Sequence, residues 1–420
     1  MSEAKNDAKP GRRRARPRPL APRPLPLHLT SAMTAWLSSR AALPYLRSAW
    51  PRSKPELEAA RAALAERLAG VAPDRLGAAV DRELARDADA FLRGLETYRH
   101  HPYRRAFEEP PVVWQSGTTR LLDYGPAGGA PILVVPSLIN RGYILDLAEE
   151  TSLLRYLAAR GLRPFLVDWG RPGPIERKFT LTEYIAGRLD AAMSVAIERA
   201  GAPIAILGYC MGGLLALALA ERRQKETAGL ALLATPWDFH AGEAAWAHLM
   251  GGLADLFESF YASLGEVPVD VLQTLFAGLD PLLALRKFRR LAILDPGSRE
   301  VVAFVALEDW LNDGIPLALP TAIECLAGWY GENLPGRGLW RIAGMPVEPE
   351  RFTRPALVIL PSRDRIVPPA SAVALAVALP QATRMAPPLG HIGMMVGGSA
   401  ERSVWRPLAD WLQRTLGRGM

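Results

Sequence analysis

A cysteine framed by glycines, an aspartate just past an apolar run and a histidine late in the chain are the residues best placed to do chemistry. Gly208-Tyr209-Cys210-Met211-Gly212-Gly213 follows the apolar run Ile204–Leu207 and precedes Leu214-Leu215-Ala216-Leu217. That order reads as strand, sharp turn and helix, the context of a G-x-nucleophile-x-G elbow. The glycines remove side chains that would collide between strand and helix. A helix starting at Met211 points the positive end of its dipole at Cys210, which favours the reactive thiolate. The Met211 N–H is a candidate oxyanion donor. The blander reading of Cys210 is a buried structural thiol. Cys325, in Ala322-Ile323-Glu324-Cys325-Leu326-Ala327, has no glycine frame and is expected in a core.

A thiol nucleophile needs a base, and the chain holds six histidines. His28, His100 and His101 fall in tail or helical segments, and His240 and His248 open a later insertion. His391, in Pro388-Leu389-Gly390-His391-Ile392-Gly393, lies just past the last strand-like stretch and ahead of a C-terminal helix. For an elbow of this kind the chain order is nucleophile, acid, histidine, so His391 is the expected base. Asp364, just beyond the apolar run Ala356–Leu360, is the expected acid. Its blander reading is a loop carboxylate paired with Arg363 or Arg365. Asp309 and Asp313 are weaker rivals, because both fall inside the insertion.

The elements that must position these side chains form an α/β pattern. Strand candidates are Pro111–Trp114, Arg120–Tyr124, Pro131–Pro136, Pro164–Trp169, Pro203–Tyr209, Leu230–Thr235 and Ala356–Leu360. Helical patterns lie between them at about 144–161, 181–201, 211–223 and 370–379, which predicts a mainly parallel sheet. Residues 239–345 interrupt this rhythm with a helix-rich stretch carrying Trp246, Phe257, Phe260 and Trp310, the pattern of a cap over a site. The predicted organisation is a tail over 1–27, a helical region over 28–108 and a catalytic domain over 109–420. In the helical region, Pro55–Ala69 repeats Leu and Ala at helical spacing. Asp74 is a candidate cap for a helix running on through Leu84, Ala88 and Leu92. The patch Trp36, Leu37, Leu43, Tyr45, Leu46 and Trp50 is expected to pack on the main domain, with contact to a lipid-like polymer surface as the sharper alternative.

The 420 residues are 49% apolar and 22% charged, a globular composition. No uninterrupted apolar run is long enough to span a bilayer, and no apolar segment follows the basic N-terminus as a signal peptide requires. Two cysteines exclude a disulfide framework and fit a reducing compartment, so the expected location is the cytoplasm. Of the +7 formal charge, the eight basic and two acidic residues of positions 1–26 supply +6. Such an Arg- and Pro-rich tail is expected to be solvated and disordered. A tether to nucleic acid, an anionic granule surface or an acidic partner is the alternative, nucleic acid ranking low. Paired His/Cys ligand spacings and glycine-rich phosphate loops are both missing, so neither a metal nor a bound cofactor is expected.

Several stretches together resemble the polyhydroxyalkanoate synthase family. Val135-Pro136-Ser137-Leu138-Ile139-Asn140-Arg141-Gly142-Tyr143-Ile144-Leu145-Asp146-Leu147 is similar to its loop after an early core strand, and Val167-Asp168-Trp169-Gly170 to its aspartate–tryptophan–glycine turn. Gly208–Gly213 resembles its cysteine-containing box. Asp364-Arg365-Ile366-Val367-Pro368 and Gly390-His391-Ile392 resemble its acid and base segments. The resemblance spans about 111–415. It implies an α/β-hydrolase fold with a helical cap and a helical N-terminal extension. It also implies an acyltransferase that links 3-hydroxyacyl groups from coenzyme A into polyester, with CoA thioester as substrate. Cys210 would carry the chain as a thioester, His391 would act as base, Asp364 would assist it or help activate the incoming hydroxyl, and Leu138, Ile139 and Asn140 would lie around the oxyanion. The partners so implied are the growing polyester, a granule surface, and a second copy or a second synthase subunit. A thiol hydrolase, either an intracellular polyester depolymerase or a dienelactone-hydrolase-like enzyme, is the rival activity. A non-catalytic granule scaffold is the rival outside enzymes.

Overall fold

Strands buried on both faces of a parallel sheet must be apolar at successive positions, not at alternate ones, and five runs in this chain have that character. The computed structural model describes residues 22–46, 55–242 and 244–417. Its main sheet has eight strands: β1 (Val112–Ser116), β2 (Thr119–Asp123), β3 (Ala130–Val135), β4 (Leu162–Asp168), β5 (Ile204–Tyr209), β6 (Thr227–Leu233), β7 (Ala356–Ile359) and β8 (Ala382–Met385). They lie in the order β1-β2-β4-β3-β5-β6-β7-β8. β2 runs antiparallel to β1 and β4, and the other pairings are parallel.

Successive side chains feed two cores. Leu133, Val135, Ile206, Leu232 and Val358 face one, while Ile132, Val134, Leu207, Leu233 and Ile359 face the other. Helices α4 (Leu153–Ala158), α5 (Asp190–Ala200) and α6 (Met211–Arg222) follow β3, β4 and β5 in chain order, α4 on the second face and α5 and α6 on the first. The helix expected at 144–161 is reduced to α4. Upstream of it the buried Asp146 carboxylate binds Arg105, Tyr124, Ser152 and Arg155. That side-chain network replaces a helical turn, and Ser152 then caps α4. β8 was absent from the strand candidates because Ala-Thr-Arg-Met, with both central residues exposed at the sheet edge, has no apolar signature.

Between β6 and β7 the chain leaves the sheet and builds a helical cap. It comprises α7 (Ala244–Gly251), α8 (Ala254–Tyr261), α9 (Val269–Gly278), α10 (Leu283–Leu291), α11 (Arg299–Asn312) and α12 (Leu319–Ile323), the last continuing into a π-helical stretch, Glu324–Gly331. α13 (Pro369–Ala378), α14 (Gly393–Val396) and α15 (Arg406–Gly417) complete the domain.

Ahead of the sheet lie three helices, α1 (Leu25–Ala41), α2 (Pro55–Leu68) and α3 (Pro73–His100). The first begins inside the stretch expected to be tail, since Pro24 and the proline in its first turn preset a helical start. Residues 1–21 of that tail, and Trp50 of the aromatic patch, lie outside the described residues. Asp74 does not cap the third helix. Ala72 holds the cap position, Pro73 starts the helix, and Asp74 sits in the first turn, where its charge favours the dipole. Among the described residues of the patch, Trp36 alone packs into a cluster shared with the cap: it meets Phe91 of the third helix, and Phe91 and Tyr98 meet Phe288 of α10 edge to face. Leu37 and Tyr45 stay exposed.

The helix Pro73–His100 crosses α10 at Gly94, where a Cβ would fall 1.9 Å from the Phe288 carbonyl oxygen. Only backbone displacement relieves that clash. Gly94→Ala is expected to destabilise the protein by about 1–3 kcal/mol, read as a lower thermal unfolding midpoint. Gly187→Ala, where a Cβ meets nothing within 4 Å, is the control and is expected to leave the midpoint unchanged or raise it.

Candidate active site

The parallel strands deliver their C-terminal ends to one edge of the sheet, and three of the residues singled out from the sequence meet there. Cys210 follows β5 directly and caps α6 with φ 57° and ψ −131°. A side chain in that left-handed region costs on the order of 1–3 kcal/mol, so the surroundings must hold it there. The Cys210 N–H donates to the Leu233 carbonyl at 2.8 Å, and its own carbonyl accepts from Gly213 N–H at 2.9 Å. Close packing makes the flanking glycines obligatory. A Cβ on Gly208 would lie 2.4 Å from the Gly213 Cα, and one on Gly213 would lie 1.8 Å from Thr235 Oγ1. Cys210 is half-buried, while Cys325 is buried in the cap side of the core and its thiol is pushed up by burial.

Asp364 and His391 lie beyond β7 and β8, and the backbone extends that pairing into their loops. Leu360, Ser362 and Arg363 N–H groups donate to the carbonyls of Met385, Pro387 and Leu389. The two side chains meet with His391 Nδ1 2.7 Å from Asp364 Oδ2. The other carboxylate oxygen accepts the N–H groups of Ile366 at 2.8 Å and Val367 at 2.9 Å. Both residues are buried, at 7% and 6% exposure. The carboxylate therefore holds the Nδ1 proton in place and leaves Nε2 for the nucleophile. Tyr209 steadies the other end of the histidine segment, its hydroxyl donating to the His391 carbonyl at 3.1 Å.

Burial by itself would push the imidazole pKa down. The charge of Cys210, the hydrogen bonds with Asp364 and Cys210, and the charge of Asp364 outweigh it, and the ring is pushed up to about 10. The same carboxylate and thiol, after burial, push the Tyr209 phenol up.

The rival residues are engaged elsewhere. Arg365 points outward, its closest carboxylate being Asp280 at 3.8 Å. Asp309 accepts from the Tyr98 hydroxyl and Asp313 pairs with Arg141. His240 and His248 stack on each other with ring centres 4.5 Å apart, and His240 contacts the Tyr330 carbonyl. Of the four oxyanion candidates, Met211 opens α6 and Leu138 is buried in the core. The Ile139 N–H donates to Ser137 Oγ at 3.0 Å, so that amide is occupied. Asn140 has a positive φ of 66° and bonds to the cap. Tyr330 was not legible as a site residue. It lies in the π-helical stretch of the cap, and burial followed by the charges of Cys210 and Cys325 pushes its phenol up. Phe239 packs on it at 4.9 Å. Its only signal in the sequence was membership of an aromatic-rich insertion.

Among the described residues no group of three His, Cys, Asp or Glu could hold a metal ion, and no helix is long and apolar enough to cross a membrane.

The ring's proton depends on the neighbouring sulfur, which sets the sign of a titration. His391 is expected to stay protonated through neutral pH and lose its proton only as pH rises towards 10. In Cys210→Ala, with that charge gone and burial still acting, the titration is expected to move down by about one to three pH units. The imidazole C–H resonances followed by NMR against pH check both.

Comparison with known proteins follows the same lines. The family model described as alpha/beta hydrolase fold matches residues 130–398. The poly(3-hydroxyalkanoate) polymerase subunit PhaC of Synechocystis sp. is 29% identical over 77% of this chain and 90% of that protein. The subunit of the same name from Allochromatium vinosum is 29% identical over 67% of this chain and 80% of its own length. Among solved structures, a monoacylglycerol lipase from Paleococcus ferrophilus aligns with a TM-score of 0.47 at 17% identity, over 71% of this chain and 99% of the lipase.

Proposed function

The chain belongs to the α/β-hydrolase fold family, within which it resembles the polyhydroxyalkanoate synthases, and we propose that it transfers 3-hydroxyacyl groups from coenzyme A into polyester through a thioester on Cys210. The observation that carries this reading is a buried imidazole hydrogen-bonded to Asp364 at 2.7 Å and close enough to the elbow cysteine to feel its charge.

In this mechanism the Cys210 thiolate attacks the acyl carbonyl and forms a carbon–sulfur bond. The Met211 N–H and an amide of the Leu138–Asn140 loop face the resulting oxyanion. Collapse breaks the bond to coenzyme A, and the departing thiolate takes the proton held on His391. Acylation removes the sulfur's charge, the foremost of the influences that raise the ring's pKa. Burial then favours the neutral ring, which can act as a base. It accepts the proton of the 3-hydroxyl of the next acyl-CoA as that oxygen attacks the chain on Cys210. The thiolate leaves, the ring is charged again, and the pair is restored. The extended chain, now on coenzyme A, returns to Cys210 and releases CoA. Acid and base are thus one residue, switched by the state of its neighbour.

A cysteine suits repeated transfer, because exchanging one thioester for another keeps the acyl group activated. Water is the competing acceptor, so the site must be dry. Phe239, Trp246, Trp329, Tyr330 and Trp340, at the mouth of the cap and within it, supply an apolar roof on that side of the core. No metal or bound cofactor enters this scheme.

Purified full-length protein incubated with 3-hydroxybutyryl-CoA is expected to release CoA and form polymer, with a 3-hydroxybutyryl thioester detectable on Cys210 by mass spectrometry. Cys210→Ala is expected to lower turnover at least about a thousandfold. Free 3-hydroxybutyrate as the sole product would instead establish a hydrolase.

A further inference from the structure

The loop after β3 is gripped from two sides. From below, the Trp169 indole donates to the Pro136 carbonyl at 3.0 Å. The start of α6 presses on the same strand end, where a Cβ on Gly212 would fall 2.2 Å from the Val135 carbonyl oxygen. From above, the cap holds two consecutive residues. Gln273 of α9 donates from Nε2 to Asn140 Oδ1 at 3.1 Å and to the Leu311 carbonyl at 3.2 Å. A backbone carbonyl can only accept, so the Leu311 contact fixes which end of the Gln273 amide points inward, and Asn140 must present its oxygen. The next carbonyl, that of Arg141, accepts from the Trp310 indole at 2.7 Å, and the Arg141 side chain pairs with Asp313 at 2.9 Å. Trp310 is buried, at 3% exposure. Gly314 closes over the Asn140–Gln273 pair, where a Cβ would meet Val269 Cγ1 at 2.7 Å.

We propose that Gln273 and Trp310 are positioning residues for acyl transfer. They set the loop amide against the acyl oxygen, so the oxyanion site is complete only when the cap is seated. The proposal rests on the reading above that this loop supplies an oxyanion donor. Neither residue touches the reacting atoms, and both act through the backbone between Leu138 and Gly142. The cap then does more than exclude water, because its docking and the stabilisation of the tetrahedral intermediate become one event.

Two reactions of the same sulfur separate this role from a merely structural one. Alkylation of Cys210 by iodoacetamide passes through no oxyanion, whereas acylation by p-nitrophenyl butyrate does. In the full-length protein, Gln273→Met removes the amide donor at similar length, and Trp310→Phe removes the indole donor while keeping an aromatic ring. Each is expected to slow the acylation burst about tenfold or more while alkylation stays within about twofold. With 3-hydroxybutyryl-CoA, kcat is expected to fall and KM to hold within about threefold. Equal slowing of both reactions, or unchanged acylation in both variants at an unchanged melting midpoint, overturns the proposal. An unmodified protein that is acylated by the ester yet makes no polymer overturns the synthase reading while leaving the positioning role measured. One that is not acylated at all overturns both.

Discussion

A buried imidazole held between a carboxylate and a thiol is the contact on which the rest of this molecule turns. Burial disfavours a charged ring, and the interactions with Cys210 and Asp364 favour it more strongly. The balance is useful because one of those neighbours changes its charge during the proposed reaction and the other does not. Asp364 is fixed by two backbone amides and buried, so its contribution is constant. In the proposed reaction Cys210 would alternate between thiolate and thioester, so its contribution would be switched. The cost of holding the aspartate and the histidine out of water is met by complete hydrogen bonding of the carboxylate.

The architecture serves that contact by placing three strand ends side by side. β5 supplies a strained residue whose conformation survives because glycines on either side allow strand, helix and the Thr235 side chain to close on it. β7 and β8 supply the acid and base on loops that remain paired beyond the last strand residues. Sub-ångström placement of a hydrogen bond across separate loops is then a property of the sheet register, and not of the loops themselves. Burial of both sheet faces, with alternate side chains sent to each core, makes that register costly to shift.

Much of this was legible in the residues. The glycine frame, the apolar run before it and the helical run after it specify the elbow through short-range sterics, which sequence records well. Asp364 and His391 were found by their order in the chain and their place after apolar runs. What could not be read was of two kinds. Polar networks that replace regular structure left no periodic trace, as at Asp146, where two arginines, a serine and a tyrosine take the place of a helical turn. Contacts made by the insertion depend on how it folds back. The Trp310–Arg141, Gln273–Asn140 and Tyr330 contacts join residues far apart in the chain, and nothing local announces them. β8 was missed because an edge strand needs no apolar pattern.

Both ends of the cap emerge from neighbouring strands. β6 and β7 run side by side in register, Leu233 against Ile359, and the whole helical cap hangs between them. Everything past those two strands is therefore held to the domain by packing and by hydrogen bonds alone. Glu266 receives Arg171 and Arg177, Thr321 donates to the Phe179 carbonyl, and Glu324 accepts from the Leu181 N–H. The margin bearing α9 and the end of α11 is tied to the loop after β3, and Arg23 donates there to Asp270 and Asn312. With polar ties spread around its rim, no single side chain anchors the cap.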